Sequence, residues 1–266
     1  MEKSPNWLEM PDELMANILQ RLFAAEILNS ARKVCTTWRK ICSKPEMWKV
    51  IFMHKSVDDW EGDYHFERLT KQAVDLSCGE LIGISIKGFG TDELLNYVVL
   101  RKLDCLFLSS CYDITGSGLS QAVKRAPQLE KLYISSISIN TQNIEVIGQN
   151  CPQLKSFMVS TEFIRTFINC DDNALAIANN LPELRRLKLF DMDMTNIGLQ
   201  AILNGCPHLE VLSVRMCYDL NLDENLRSLC MERIKDFKFF LEIQDFDYDD
   251  YGLSSRDVDL FPDYSD

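Results

Sequence analysis

The sequence predicts an α/β solenoid, a short arc of about seven strand–helix units, preceded by a small three-helix module. Two observations lead to this prediction. A short apolar strand pattern recurs every 22 to 30 residues from position 81 onward, and each interval has the apolar spacing of a helix. The residues before about position 52 show helical periodicity instead. With 266 residues, 46% of them hydrophobic, the chain can bury such a core.

The distribution of charge excludes several classes of function. The chain carries 28 basic and 40 acidic residues, a net charge of −12, and lacks the basic surface of a nucleic-acid-binding protein. Residues 241–266 supply −8 of this total, from nine acidic residues and Arg256. No apolar run could span a membrane, and the N-terminus lacks the apolar stretch of a signal peptide. We therefore expect no nucleic acid and no membrane as partner, and a location in the nucleus, the cytoplasm or both.

The ten cysteines and three histidines predict packing rather than metal binding. No two cysteines form a C-x-x-C pair, whereas zinc sites need ligands clustered at such short spacings. Cys111 and Cys217 occupy the same position, three residues past the last apolar strand residue of their units, as packing residues do. We expect no metal and no other cofactor.

The N-terminal module begins at Pro11 with Pro-Asp-Glu, a helix-start signal whose acidic residues oppose the positive end of the helix dipole. Positions at spacings of four, with one more beside them, give this helix an apolar face: Leu14, Ile18, Leu22 and Leu19. A second short helix is predicted at residues 27–28 and a third over residues 31–42. Helices this short bury too little surface to be stable alone, so the rest of the chain or a partner must cover them.

Four segments of this module resemble the F-box family. In order, they are Leu8-Glu9-Met10-Pro11-Asp12-Glu13-Leu14, Ile18-Leu19-Gln20-Arg21-Leu22, Val34-Cys35-Thr36-Thr37-Trp38-Arg39 and Pro45-Glu46-Met47-Trp48. Met10 departs from the family's usual Leu before Pro, a change that conserves volume. The resemblance implies docking onto a Skp adaptor and, through it, onto a cullin–RING ubiquitin ligase. The candidates for that contact, some of which must instead form the module's own core, are Pro11, Ile18, Leu19, Leu28, Val34 and Trp38.

The repeated strand pattern is L-x-x-L-x-L, in which other apolar residues replace some of the leucines. Its copies begin at Leu81, Leu103, Leu129, Leu154, Leu184, Leu209 and Ile234. They are therefore 22, 26, 25, 30, 25 and 25 residues apart, so that one unit is expanded. Pro127, Pro152, Pro182 and Pro207 each stand two residues before the next copy and help to end the intervening helix. Stacked units of strand, turn and helix bury a continuous core.

This period resembles the cysteine-containing leucine-rich repeats that often follow an F-box, especially in plant proteins. We therefore expect an F-box at residues 7–52 and connecting or capping helices at residues 53–80. Leucine-rich repeats are expected at residues 81–240, and an acidic, disordered tail at residues 241–266.

Residues between the inward leucines are predicted to face the concave side of the arc, because a strand exposes alternate residues. These 21 positions hold six basic residues and one acidic residue in a chain that is acidic overall. One hypothesis is a basic groove with aromatic residues that binds an acidic or phosphorylated protein segment. The other is that exposed strand positions simply favour soluble residues. The candidate substrate-binding residues are Lys87, Phe107, Lys131, Tyr133, Arg186, Lys188, Phe190, Arg215 and Lys238.

Two further segments leave alternatives open. In the tail, acidic residues alternate with Phe and Tyr, which fits a solvated tail or a segment that folds back onto the basic concave face and competes with substrate. The expanded unit contains an apolar loop at residues 162–170, which either packs over the rim or contacts a partner.

The resemblance implies a substrate-recognition subunit of a Skp–cullin–F-box E3 ubiquitin ligase, with a protein substrate bound on the concave face or rim. The alternative is a leucine-rich-repeat scaffold that acts outside the ligase. An enzyme fits poorly, because the sequence holds no Gly-rich phosphate loop, no G-x-S-x-G motif and no H-E-x-x-H motif. We expect no catalytic residue.

Overall fold

The structure is a computed structural model that describes residues 10–56, 59, 61–100, 102–160, 171–192 and 194–241. Within these residues, no helix combines the length and the apolar character needed to cross a membrane. The start of the F-box-like sequence at Leu8, the loop at residues 162–170 and the tail from residue 242 lie outside the described residues.

The N-terminal module is a chain of short helical segments. They are α1 (Asp12–Leu19), α2 (Ala24–Glu26), a π-helical turn (Ile27–Ala31), α3 (Arg32–Val34), α4 (Thr36–Ile41) and a 3-10 turn (Pro45–Trp48). The prediction of one helix over residues 31–42 was wrong, because the chain is extended at Cys35 (φ −156°, ψ 172°). From this position the sulfur of Cys35 accepts a 3.4 Å hydrogen bond from the Trp38 N–H and so caps α4.

A single parallel sheet of eight strands in sequence order follows the module. The strands are β1 (Val50–His54), β2 (Gly83–Lys87), β3 (Cys105–Ser109), β4 (Lys131–Ser135), β5 (Ser156–Ser160), β6 (Arg186–Phe190), β7 (Val211–Arg215) and β8 (Asp236–Phe240). Neighbouring strands pair in register, so residues at the same position form straight rows across the sheet. The predicted α/β solenoid is confirmed, with one strand more than the predicted seven.

The additional strand is β1, which does not carry the repeated leucine pattern. It pairs with β2 along its whole length, with Ile51 opposite Ile84. β1 runs across the boundary that the sequence placed between residues 52 and 53, so the N-terminal module and the repeats share one sheet. Among its described residues, the segment predicted to hold connecting helices contains α5 (Asp63–Leu76), which completes a first strand–helix unit with β1.

The helices of the repeats pack against one face of the sheet. They are α5, α6 (Asp92–Val98), α7 (Gly116–Val123), α8 (Thr141–Asn150), α9 (Asp172–Asn180), α10 (Asn196–Gly205) and α11 (Glu224–Arg233). The second and fourth residues of the strands join these helices in the main core, as Ile84 and Ile86 do in β2. Cys111 and Cys217 are fully buried there, and each thiol donates a hydrogen bond to a backbone carbonyl. Their predicted packing role is confirmed.

The residue immediately after each of β2, β3, β4, β6 and β7 adopts a left-handed backbone conformation. These residues are Gly88 (φ 84°), Ser110 (φ 52°), Ser136 (φ 59°), Asp191 (φ 50°) and Met216 (φ 55°). Their N–H groups donate to the last carbonyl of the next strand, as Ser110 does to Ser135 at 3.1 Å. One repeated turn therefore ends these strands and directs the chain toward the helix face.

We predict that Gly88→Ala destabilises the protein more than Gly79→Ala, although both glycines have positive φ angles of 84° and 91°. A Cβ atom at Gly88 would lie 2.7 Å from the carbonyl oxygen of Lys55, whereas nothing lies within 4 Å of one at Gly79. Left-handed strain alone costs about 1–2 kcal/mol, and the clash adds roughly 1–3 kcal/mol. Urea unfolding of the two variants checks this, and equal losses would contradict a close approach of Lys55.

Candidate functional site

The first helix of the module buries one apolar row and exposes another. Met15 and Leu19, four residues apart, are 2% and 1% exposed and face the core. Leu14 and Ile18 are 54% and 39% exposed, and Leu22 continues their row just past the helix. Helix α1 therefore has a second apolar row that no described residue covers.

Two further apolar side chains of the module, on α3 and α4, are exposed or half-buried. Val34, at the end of α3, is 61% exposed, and the Trp38 ring on α4 is half-buried against the core. Helix α4 contacts both α1 and α3. We define the apolar module face by its residues: Pro11, Leu14, Ile18, Leu22, Val34 and Trp38. Monomeric proteins seldom leave large apolar side chains together in water, so this face is suited to a protein partner.

The structure sorts the six candidates for adaptor contact into two groups. Leu19 and Leu28 are 1% and 8% exposed and belong to the core, so their prediction as contact residues was wrong. Both side chains belong to the main hydrophobic core, which also includes Trp48. The indole N–H of Trp48 donates a 2.9 Å hydrogen bond to the Cys42 carbonyl inside this core.

Four of the candidates remain on the surface: Pro11, Ile18, Val34 and Trp38. The sequence prediction missed Leu14 and Leu22 as surface residues. A signal for both was present, because each stands four residues from Ile18 and therefore on the same helical row.

The second candidate surface is the sheet face opposite the helices, which we call the helix-free face. It is formed by the first, third and fifth residues of the strands, which confirms the predicted alternation. Its central cluster, separate from the main core, consists of Cys105, Phe107, Tyr133, Met158 and Phe190. The Phe107 and Tyr133 rings stack with centroids 4.3 Å apart and planes 8° from parallel. The Tyr133 hydroxyl lies 2.6 Å from the Ser156 hydroxyl, and burial raises the pKa of Tyr133.

The last three strands make the helix-free face basic. Lys188 on β6 and Lys238 on β8 occupy the same row, with β7 between them. In the next row, the Arg215 guanidinium lies 5.6 Å from the ring centre of Phe190 and 5.0 Å from that of Phe240. Both distances suit cation–π attraction, which holds the charge on this face.

The other basic candidates lie elsewhere on the same face. Lys87 is half-buried on β2, and Lys131 and Arg186 share a row on β4 and β6, on either side of β5. The structure thus brings all nine substrate-binding candidates to one face of the sheet.

Four of these candidates are not exposed, contrary to the prediction that the positions between the leucines are exposed. Phe107, Tyr133, Phe190 and Arg215 are between 1% and 7% exposed. Strands in register lie only about 4.8 Å apart, so each ring packs sideways against its neighbours in the row, which accounts for part of this burial.

His54 ends β1 at the border between the module and the helix-free face. Its Nε2 atom lies 3.0 Å from the Ser85 hydroxyl, and its ring packs on Phe23 with centroids 4.9 Å apart. Burial, and then the positive charge of Lys87, lower the pKa of His54 to about 4. The imidazole is therefore neutral near pH 7.

The cysteine thiols of the repeats are poor nucleophiles. Burial raises the pKa of Cys105 to about 12, and it does the same for Cys111 and Cys151. Among the described side chains, no three His, Cys, Asp or Glu residues are grouped to hold a metal ion.

Comparison with known proteins gives matches to both parts of the chain. A family model for the F-box-like domain matches residues 7–54, and a model for the LRR repeats of an FBD-associated F-box protein matches residues 160–242. The Arabidopsis thaliana F-box/LRR-repeat protein 23 is 42% identical over 241 residues, covering 89% of this chain. This chain spans 54% of that relative's length. The Arabidopsis thaliana F-box protein SKIP19 is 41% identical over 235 residues, covering 88% of this chain and 76% of that protein.

A solved structure also matches. A chain in the crystal structure of the Rad7 and Elc1 complex in yeast aligns with a TM-score of 0.49 and 14% identity, covering 88% of this chain and 69% of that chain.

We predict that the stability of the protein falls below pH 6.5 because of His54. The unfolded state binds a proton at the ordinary pKa of 6.5, whereas the folded state resists protonation until about pH 4. The contribution is therefore complete above pH 6.5 and is lost as the pH falls, by about 2 kcal/mol at pH 5. Thermal unfolding from pH 7.5 to 5 should show a smaller loss for His54→Gln than for the unchanged chain. The exposed His208→Gln variant is the control; an unchanged pH slope in His54→Gln would contradict the prediction.

Proposed function

The chain belongs to the F-box/leucine-rich-repeat protein family, and from this we propose that it is the substrate-recognition subunit of a Skp–cullin–F-box ubiquitin ligase. In this proposal the apolar module face binds the Skp adaptor, and the helix-free face binds a protein substrate. Other subunits carry out ubiquitin transfer, so this chain contributes no catalytic residue. We propose the nucleus, the cytoplasm or both as its location.

The observation that carries the proposal is the division of apolar residues on α1. Met15 and Leu19 are buried in the chain's own core, whereas Leu14 and Ile18 remain exposed to water. Burying one such side chain in an interface contributes about 1.5–3 kcal/mol. Together with Val34, these residues provide the apolar centre that a stable protein–protein interface needs.

The shared strand supports a role in positioning a substrate. Because β1 belongs both to the F-box segment and to the sheet, an adaptor bound at α1 is held at a fixed place relative to the repeats. The basic and aromatic residues of the helix-free face support a substrate with acidic or phosphorylated side chains, which pair with Lys and Arg.

We predict that Ile18→Glu combined with Val34→Glu weakens adaptor binding by at least about 100-fold, because two charges would have to enter an apolar interface. Co-expression of the full chain with a Skp adaptor, followed by size-exclusion chromatography and titration calorimetry, measures the effect. The melting temperature should change little, since both side chains are exposed.

The matched control for this experiment is Ile197→Glu combined with Met231→Glu. These residues are 70% and 67% exposed on α10 and α11, away from the module, and should leave adaptor binding unchanged. Leu19→Ala is unsuitable because it opens a cavity in the core and confuses folding with binding. A soluble, folded chain that does not bind the adaptor would contradict the proposal and favour a leucine-rich-repeat scaffold that acts outside the ligase.

A further inference from the structure

The central cluster of the helix-free face is buried, although it contains only strand residues among those that the structure describes. Cys105, Phe107, Tyr133, Met158 and Phe190 are each at most 3% exposed. Parallel sheets are normally covered on both faces, and the helices of the repeats cover only the other one. Sideways packing within rows does not close the open top of a sheet. The described strand residues alone therefore do not account for this burial.

Two serine hydroxyls on this face have hydrogen-bonding capacity that the described residues do not use. The Ser160 and Ser213 hydroxyls are buried and have no hydrogen-bond partner among the described residues. A buried hydroxyl without a partner is costly. Ser213 lies in one row between Lys188 and Lys238. Lys238 also lies 3.9 Å from the Asp236 carboxylate, and the two cations together favour an anionic group in this row.

The C-terminal segment of this chain has the chemistry that the face requires. Residues 242–266 contain nine acidic residues and Arg256, a net charge of −8, together with five Phe and Tyr residues. The acids are complementary to the basic residues of β6 to β8, and the rings are complementary to the aromatic cluster.

The segment also begins in the right place and is long enough. It follows β8, the last strand of the sheet, with only Leu241 between them. Twenty-five residues reach about 80 Å when extended, whereas eight strands about 4.8 Å apart span about 34 Å. The segment can therefore cross the whole face.

We propose that residues 242–266 bind across the helix-free face as an internal ligand. Tethering gives the segment an effective concentration of about 1 mM, so modest intrinsic affinity suffices to occupy the face. A role for this tail contact in regulating substrate binding rests on the proposed substrate-binding function. A substrate segment of the same chemistry, acidic and aromatic, has to displace the tail before it is captured.

Cys105 provides a direct probe of the cover, and Cys111 is its internal reference. Cys105 lies on the helix-free face and Cys111 in the main core, and both are at most 1% exposed. The rate of maleimide labelling at each thiol is measured by mass spectrometry on three proteins. They are the full chain, the chain ending at Leu241, and a full chain with Asp245, Asp247, Asp249 and Asp250 changed to Asn.

We expect labelling of Cys105 to be at least about 10-fold faster in the chain ending at Leu241 and several-fold faster in the Asp→Asn chain. Cys111 should stay protected in all three. Raising the salt concentration should also speed Cys105 labelling in the full chain, because salt screens the ionic part of the contact. A synthetic peptide of residues 242–266 added to the shortened chain should restore slow labelling.

The matched control is a full chain with four exposed acids outside the tail changed to Gln: Glu145, Glu183, Glu224 and Glu232. It should label like the unchanged chain. The inference is overturned if Cys105 stays slow in the shortened chain while Cys111 is protected. If the shortened chain does not fold, an unchanged Cys105 rate in the Asp→Asn chain and in high salt overturns it. Adaptor binding is scored separately, so failure of the ligase proposal is distinguishable from failure of the tail contact.

Discussion

Backbone hydrogen bonds between β1 and β2 join the F-box to the repeats. The carbonyl of Lys49 accepts from the N–H groups of Ile82 and Gly83 at 2.8 and 3.2 Å, and the Lys55 N–H donates to the Lys87 carbonyl at 2.9 Å. These bonds start a register that the remaining strands continue without a slip. Because a slip of one residue would exchange the two faces of a strand, the register decides which side chains enter the core and which form the helix-free face.

The shortness of the module's helical segments accounts for its exposed apolar row. Its segments are too short to bury all of their apolar residues, and the core accepts Met15 and Leu19 from α1. Leu14 and Ile18 stay outside because they lie on a different row of the helix, which the core does not cover. In the proposed function, an adaptor covers this row and buries the apolar side chains that the chain's own core leaves exposed.

Much of the fold could be predicted from the sequence, because the repeated leucines mark both the strands and their inward faces. Strand β1 could not be predicted in this way, because Val50–His54 lacks the repeat spacing and becomes a strand only by pairing with β2. The sequence also could not tell that Leu19 is buried and Ile18 exposed. Adjacent positions of an apolar stripe look alike in sequence, and tertiary packing decides which of them is buried. The burial of Phe107 and Tyr133 depends on what lies over the sheet, which strand alternation does not encode.

Hydrogen–deuterium exchange of the full chain, with and without a Skp adaptor, tests the central claim that the module presents an unfilled apolar face on a rigid sheet. When the adaptor binds, the amides of α1, α3 and α4 should exchange more slowly. The amides of α8 to α10, far along the sheet, should exchange at unchanged rates. Unchanged exchange in α1, or new protection confined to the repeats, would contradict the account.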